Sequence, residues 1–86
     1  MTLLTVGVNY RTASLDLRER VAIPSRDIPD TLHAIRTHAS IQEAVILSTC
    51  NRVECYVATT DRPAAQDHLL EIFAARARLS PVTLAS

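Results

Sequence analysis

The sequence holds a single glycine, Gly7, and has no tryptophan and no lysine. With one glycine, no G-x-G-x-x-G phosphate loop can be written anywhere in the chain, so a dinucleotide finds no glycine-rich cradle here. Only three aromatic residues are present, Tyr10, Tyr56 and Phe73, so the core must be aliphatic, and the 48% hydrophobic content suffices for one. All nine basic residues are arginine, and nine acidic residues cancel them. A neutral domain makes no strong electrostatic footprint on nucleic acid, and a nucleic-acid substrate would find most of its phosphate contacts elsewhere. The two cysteines, Cys50 and Cys55, fit neither a disulfide framework nor a zinc ribbon. His33 and His38 do not share a helical face, and no metal site is expected. No apolar run approaches the length that spans a bilayer, and Met1-Thr2-Leu3 opens without a basic signal region, so the expected location is cytoplasmic. Eighty-six residues make one small domain, burying about 60% of the surface its unfolded form exposes.

What is present is periodic. Leu4, Val6, Val8 and Tyr10 alternate with Thr5, Gly7 and Asn9, which predicts a strand. A glycine inside it points to a close backbone approach or a bulge. Ser14 can cap a short helix carrying Leu17 and Val21, with Asp16 near its positive end and Pro24 closing it. Ser25 or Asp27 caps the next helix, with Pro29 in the first turn and an apolar stripe of Ile28, Leu32, Ile35 and Ala39. The continuous run Ala44 to Leu47 predicts a strand covered on both faces or nearly so. In the following run Val53, Cys55, Val57 and Thr59 share one face, while Glu54, Tyr56, Ala58 and Thr60 share the other. Cys55 is therefore expected as an inert core thiol. Thr60 or Asp61 starts the last helix, whose apolar face is Ala65, Leu69, Ile72, Phe73 and Ala77. Arg76 and Arg78 are expected at its solvated end, Ser80-Pro81 to stop it, and residues 82–86 to fray. The order strand, helices, strand, strand, helix is an α+β pattern, a split β-α-β arrangement lacking its fourth strand.

Between the last two β runs stands Ser48-Thr49-Cys50-Asn51-Arg52-Val53-Glu54. A cysteine at a polar turn between strands is where a nucleophilic thiol would be placed, and a cation two residues away favours the reactive thiolate. Arg52 can also take a carboxylate in a bidentate pair. Its plainer role is a salt bridge to Glu54 or Asp16, and Glu54 is a local partner for Arg52 or Arg18. On chemistry alone, a surface loop that happens to hold Cys and Arg accounts for the segment as well.

The string STCNRVECY resembles the active-site segment of glutamyl-tRNA reductases, Ser-Thr-Cys-Asn-Arg-x-Glu-x-Tyr. Gly7-Val8-Asn9-Tyr10-Arg11-Thr12-Ala13, followed by Leu17-Arg18-Glu19-Arg20, resembles that family's opening motif. Two motifs in the right order and about the right distance apart make the signal specific. The chain departs from the pattern at Tyr10, usually His, and Ser14, usually Pro. The resemblance implies that residues 1–86 are the N-terminal catalytic domain, with a ferredoxin-like core completed by a strand beyond Ser86. It implies Cys50 as the nucleophile that forms a glutamyl thioester from glutamyl-tRNA, with Thr49, Asn51 and Arg52 binding the glutamyl group. NADPH then reduces the thioester to glutamate-1-semialdehyde for tetrapyrrole (porphyrin) biosynthesis. The NADPH-binding and dimerisation domains of the homodimeric family lie outside this chain, as does a further acid-base His, so no cofactor is expected bound here. The rival readings are a non-catalytic α/β binding module and a thiol redox switch using Cys50 and Cys55. Without its fourth strand the first strand, Leu3 to Asn9, is expected to invite self-association through its edge.

Overall fold

The computed structural model describes residues 1–9, 11, 13–49 and 51–79. Along the chain come β1 (Thr2–Asn9), α1 (Leu15–Val21), a 3-10 turn (Ser25–Asp27), α2 (Ile28–Arg36), β2 (Ile41–Ser48), β3 (Arg52–Thr59) and α3 (Arg62–Ala77). Tyr10, Cys50, Ser80-Pro81 and the tail 82–86 expected to fray lie outside these residues. The strand order is β1-β3-β2, with β3 antiparallel to both neighbours, so β1 and β2 run the same way with β3 between them. This is a small α+β domain with a three-stranded antiparallel sheet.

The register aligns Leu4, Val57 and Ala44 in one row, Val6, Cys55 and Ile46 in the next, and Val8, Val53 and Ser48 in a third. Side chains of one strand face alternate with period two, so these rows share one side of the sheet. Val21 of α1, Ile35 of α2 and Ala65, Leu69, Phe73 and Ala77 of α3 join them in a single buried cluster. Apart from Phe73 the cluster is aliphatic, as the scarcity of aromatics requires. On the opposite side, Leu3, Thr5, Asn9, Val45, Leu47, Glu54 and Tyr56 include no fully buried residue.

Local signals set most element ends. Ser14 caps α1, its Oγ accepting from the Leu17 N–H at 3.2 Å, and Asp61 caps α3, its Oδ1 accepting from Ala64 N–H at 3.2 Å. Asp27 precedes α2 without a side-chain cap bond, because the 3-10 turn feeds the chain into the helix instead. The α2 stripe differs from the expected one. Thr31 is buried and Leu32 only half-buried, and Ala39 lies exposed beyond the helix. Thr31 tolerates burial because its hydroxyl donates to Asp27 O at 2.8 Å.

Three further expectations are corrected. β2 is an edge strand: none of Ala44 to Leu47 is fully buried, and Val45 is 62% exposed. An apolar run is covered on both faces only where helices lie on both sides, and here the helical layer covers one. Arg76 is not at a solvated helix end. Its Nη2 donates to Ala22 O at 2.9 Å and lies 3.9 Å from Asp27 Oδ2, tying α3 to the segment joining α1 and α2. Finally, α3 stops before Ser80-Pro81. Arg78 takes the left-handed conformation (φ 57°), and Leu79 N–H reaches back to Ala74 O at 3.0 Å in a Schellman-type turn.

Two of the three histidines, His38 and His68, have packing or hydrogen-bond partners. His38 Nδ1 accepts from the Ser40 N–H at 3.2 Å and lies 2.8 Å from Ser40 Oγ, which in turn accepts from the buried Thr59 hydroxyl at 3.1 Å. The His38 and His68 rings pack 5.2 Å apart, and His33 is exposed. Among the described residues no three potential ligands form a metal-binding group.

Candidate active site

The turn joining β2 to β3 is closed by Thr49. Its N–H donates to Arg52 O at 2.8 Å, and its Oγ1 accepts from both Asn51 N–H and Arg52 N–H at 3.2 Å. One hydroxyl thus satisfies two backbone donors that a turn leaves open. Ser48, the residue before it, anchors the site from below: its Oγ accepts from Ile23 N–H at 3.0 Å, fastening the end of β2 to the chain after α1. Cys50 lies outside the described residues, and both described neighbours, Thr49 and Asn51, are exposed.

Arg52 opens β3 directly across from Asn9, which ends β1. Its Nε lies 3.4 Å from Glu54 Oε1, so of the two partners expected for Arg52 the structure selects Glu54; Asp16 pairs with Arg20 at 3.1 Å. Tyr56 continues the row and donates its hydroxyl to Glu54. Desolvation first, then the bond to Glu54 and its charge, raise the phenol above its ordinary value, while Arg52 pulls the other way. Room for Glu54 comes from Gly7, its neighbour in register. A Cβ on Gly7 would collide with Val53 O and stand 2.9 Å from Glu54 Cγ. The close approach expected of the one glycine is therefore present, and it serves this row.

These parts enclose an open cleft of about 560 Å³ lined by Asn9, Arg11, Thr49, Asn51, Arg52 and Glu54. Thr49, Asn51 and Arg52 were singled out from the sequence and meet here. Asn9 and Arg11 carried no assigned role, because only the strand register shows that the end of β1 returns beside the 49–51 turn.

Cys55, by contrast, has no exposed surface and sits in the row with Val6 and Ile46. Burial pushes its thiol up to about 12 from the ordinary 9.0. Since the folded state resists ionisation, Cys55 contributes no pH dependence below pH 9.0. It should lower stability progressively as pH rises from there toward about 12, where the unfolded chain ionises and the folded one does not. Urea unfolding across this window should show a steeper alkaline loss in the parent than in Cys55→Ala; parallel curves would contradict the assignment.

Fold and site define a two-layer α+β domain with a polar, arginine-bearing cleft at one end of its sheet. The family model of the glutamyl-tRNAGlu reductase N-terminal domain matches residues 6–86. Glutamyl-tRNA reductase of Synechococcus sp. (strain JA-3-3Ab) is 37% identical over 74 residues, 86% of this chain and 17% of that protein. The reductase of Akkermansia muciniphila is 38% identical over 73 residues, 85% of this chain and 22% of that one. That of Xylella fastidiosa (strain M12) is 38% identical over 82 residues, covering 83% and 19%. The chain belongs to the glutamyl-tRNA reductase family, matching its N-terminal domain, and spans about a fifth of the length of these curated relatives.

Proposed function

We propose that this chain is the glutamyl-transfer part of a glutamyl-tRNA reductase, with Cys50 as its nucleophile. The observation that carries the reading is the cleft lined by Thr49, Asn51 and Arg52, the sequence neighbours of Cys50, in a chain of this family. The Cys50 thiolate attacks the ester carbonyl carbon of glutamyl-tRNA. A C–S bond forms, the C–O bond to the 3′-terminal ribose breaks, and the ribose oxygen takes up a proton, leaving a glutamyl thioester and free tRNA. Covalent catalysis of this kind splits one hard step into two, and a thiolate is nucleophilic near neutral pH. Arg52 receives the glutamyl carboxylate, held in orientation by Glu54 at its Nε side. Thr49 and Asn51 bind beside it, Thr49 also by shaping the turn.

Among the described residues no glycine-rich phosphate loop is available to NADPH, because the one glycine is packed inside β1 against Val53 and Glu54. No reduction step is assigned to these residues. In the full-length homodimeric family protein, an NADPH-dependent reduction to glutamate-1-semialdehyde would follow in the cytoplasm, feeding tetrapyrrole biosynthesis. No helix among the described residues is long and apolar enough to cross a membrane. A Cys50–Cys55 redox switch is the weaker reading, because Cys55 has no exposed surface.

Intact mass spectrometry after incubation with glutamyl-tRNA should show one glutamyl adduct, mapping to Cys50. Its absence at every residue would overturn the reading.

The strand order is also what supports a ferredoxin-like split β-α-β fold, in which a fourth strand would pair with β1. Thr2–Asn9 contains no charge and no proline to guard its outer edge. The chain alone is expected to dimerise through it, and sedimentation showing a monomer at every concentration would exclude this.

A further inference from the structure

Arg76 of α3 and Ser48 of β2 hold the two ends of one peptide group. Arg76 Nη2 donates to Ala22 O at 2.9 Å, and the N–H of the same group, that of Ile23, donates to Ser48 Oγ at 3.0 Å. A trans peptide is planar, with its C=O and N–H pointing opposite ways, so one bond leaves from each end and the group moves as a unit. It has little freedom of its own: Val21 and Ile23 are buried on either side of Ala22, and Pro24 restricts Ile23 to extended backbone. Ser48 is the last residue of β2, an edge strand, and Thr49 after it closes the turn of the site. Arg76 is not among the residues that line the cleft, and among the described residues its buried Nε finds no hydrogen-bond partner. Burying a donor unpaired is costly, so satisfying its own fork is not what places this guanidinium.

Resting on the glutamyl-transfer reading, we infer that Arg76 is a positioning residue for that reaction, acting through the Ala22–Ile23 peptide and Ser48 on the turn that carries the nucleophile. A charged donor on a carbonyl polarises its peptide and strengthens the bond that the N–H makes, so Arg76 tightens the hold on Ser48. Ser48 pairs in register with Val53 of β3, and its hydroxyl adds a second tie, to the chain after α1. With both in place the end of β2 enters the turn at one fixed position. The other side of the turn is fixed independently, since Arg52 opens the central strand and pairs with Glu54. Loss of the relay therefore shifts the β2 side of the turn while leaving the carboxylate receptor where it is. A misplacement of about 1 Å at the reacting atoms is enough to slow a reaction about a hundredfold, even when its origin is remote.

The test reads the turn and the reaction separately. In NMR spectra Arg76→Ala should shift the amides of Ile23 and Thr49, and Arg76→Lys, which keeps a charged donor, should shift them less. In acylation by glutamyl-tRNA, Arg76→Ala should lower the saturated rate about tenfold and leave KM within about twofold, with partial recovery in Arg76→Lys. Ser48→Ala should behave alike, and the double variant should be no slower than the slower single one, whereas independent roles would multiply to about a hundredfold. Asp27→Asn, which removes only the ion pair at 3.9 Å from Arg76, should acylate at the parent rate. Should Arg76→Ala not fold, Arg76→Lys, Ser48→Ala and their double variant make the same comparison. Acylation of Arg76→Ala at the parent rate, a rise in KM alone, or losses that multiply would each overturn the inference even where Cys50 is acylated. A parent that is not acylated at all removes the glutamyl-transfer reading, and the Thr49 amide then decides: moved by Arg76→Ala it leaves the relay to the turn standing, unmoved it removes that too.

Discussion

Cys50→Ser should abolish glutamyl transfer while leaving the fold intact. The loss follows from the chemistry of the nucleophile. A serine in the same place could only exchange one oxygen ester for another, and its hydroxyl has no thiolate-like form near neutral pH. The fold should survive because Thr49 and Asn51, on either side of the substituted residue, are exposed, and because the turn is closed by Thr49 and backbone groups. The measurement is release of tRNA from glutamyl-tRNA together with a urea unfolding curve. An unchanged midpoint with no release is the expected pair of results. Release at the parent rate would mean that another residue is the nucleophile.

Gly7→Val should destabilise the domain by about 3 kcal/mol or more, at the upper end of what overpacking produces. Even one added carbon at this position stands 2.8 Å from Glu54 Cα, and its contact with Val53 O is closer still. Those neighbours are backbone atoms of the central strand and cannot swing aside as a long side chain would. Gly7→Ala should show a smaller loss of the same origin, about 1–3 kcal/mol. In both variants Glu54 must move, so Arg52 should lose its orienting partner and ester transfer should fall even in molecules that remain folded. Unfolding curves that overlay the parent's would show that β1 and β3 can separate locally at no expense.

Much of the domain was legible because the relevant signals are local. Ser14 and Asp61 announce their helices by cap chemistry, and strict alternation puts Cys55 in the core, where it is found. The site was legible in part for the same reason, since Thr49, Asn51 and Arg52 are contiguous with Cys50. What escaped depends on neighbours distant in sequence. Val45 looks like a doubly covered residue until the strand order puts β2 at an edge. Arg76 looks like a solvated helix end until Ala22 O, 54 residues away, is found to receive its proton. Asn9 and Arg11 acquire meaning only when the register sets Asn9 across from Arg52. Thr31 is a smaller instance: helical periodicity prefers Leu32 for the buried face, yet a hydroxyl bonded to its own helix can be buried with little penalty.

The strand order also has a consequence for how the chain comes to be folded. Among the described residues β1 and β2 do not pair with each other; each pairs with β3. β3 is the last strand of the three to leave the ribosome, so the first 51 residues can make helices but no sheet. The β2–β3 pairing can then close as a hairpin from the turn outward, Ser48 with Val53, whereas the β1–β3 pairing, from Asn9 with Arg52 to Thr2 with Thr59, is long-range. Pairings of such separation carry the loop-closure entropy that slows folding. Until β3 arrives, two strand segments rich in apolar residues wait without partners, a stage at which nascent chains are open to aggregation and to chaperones.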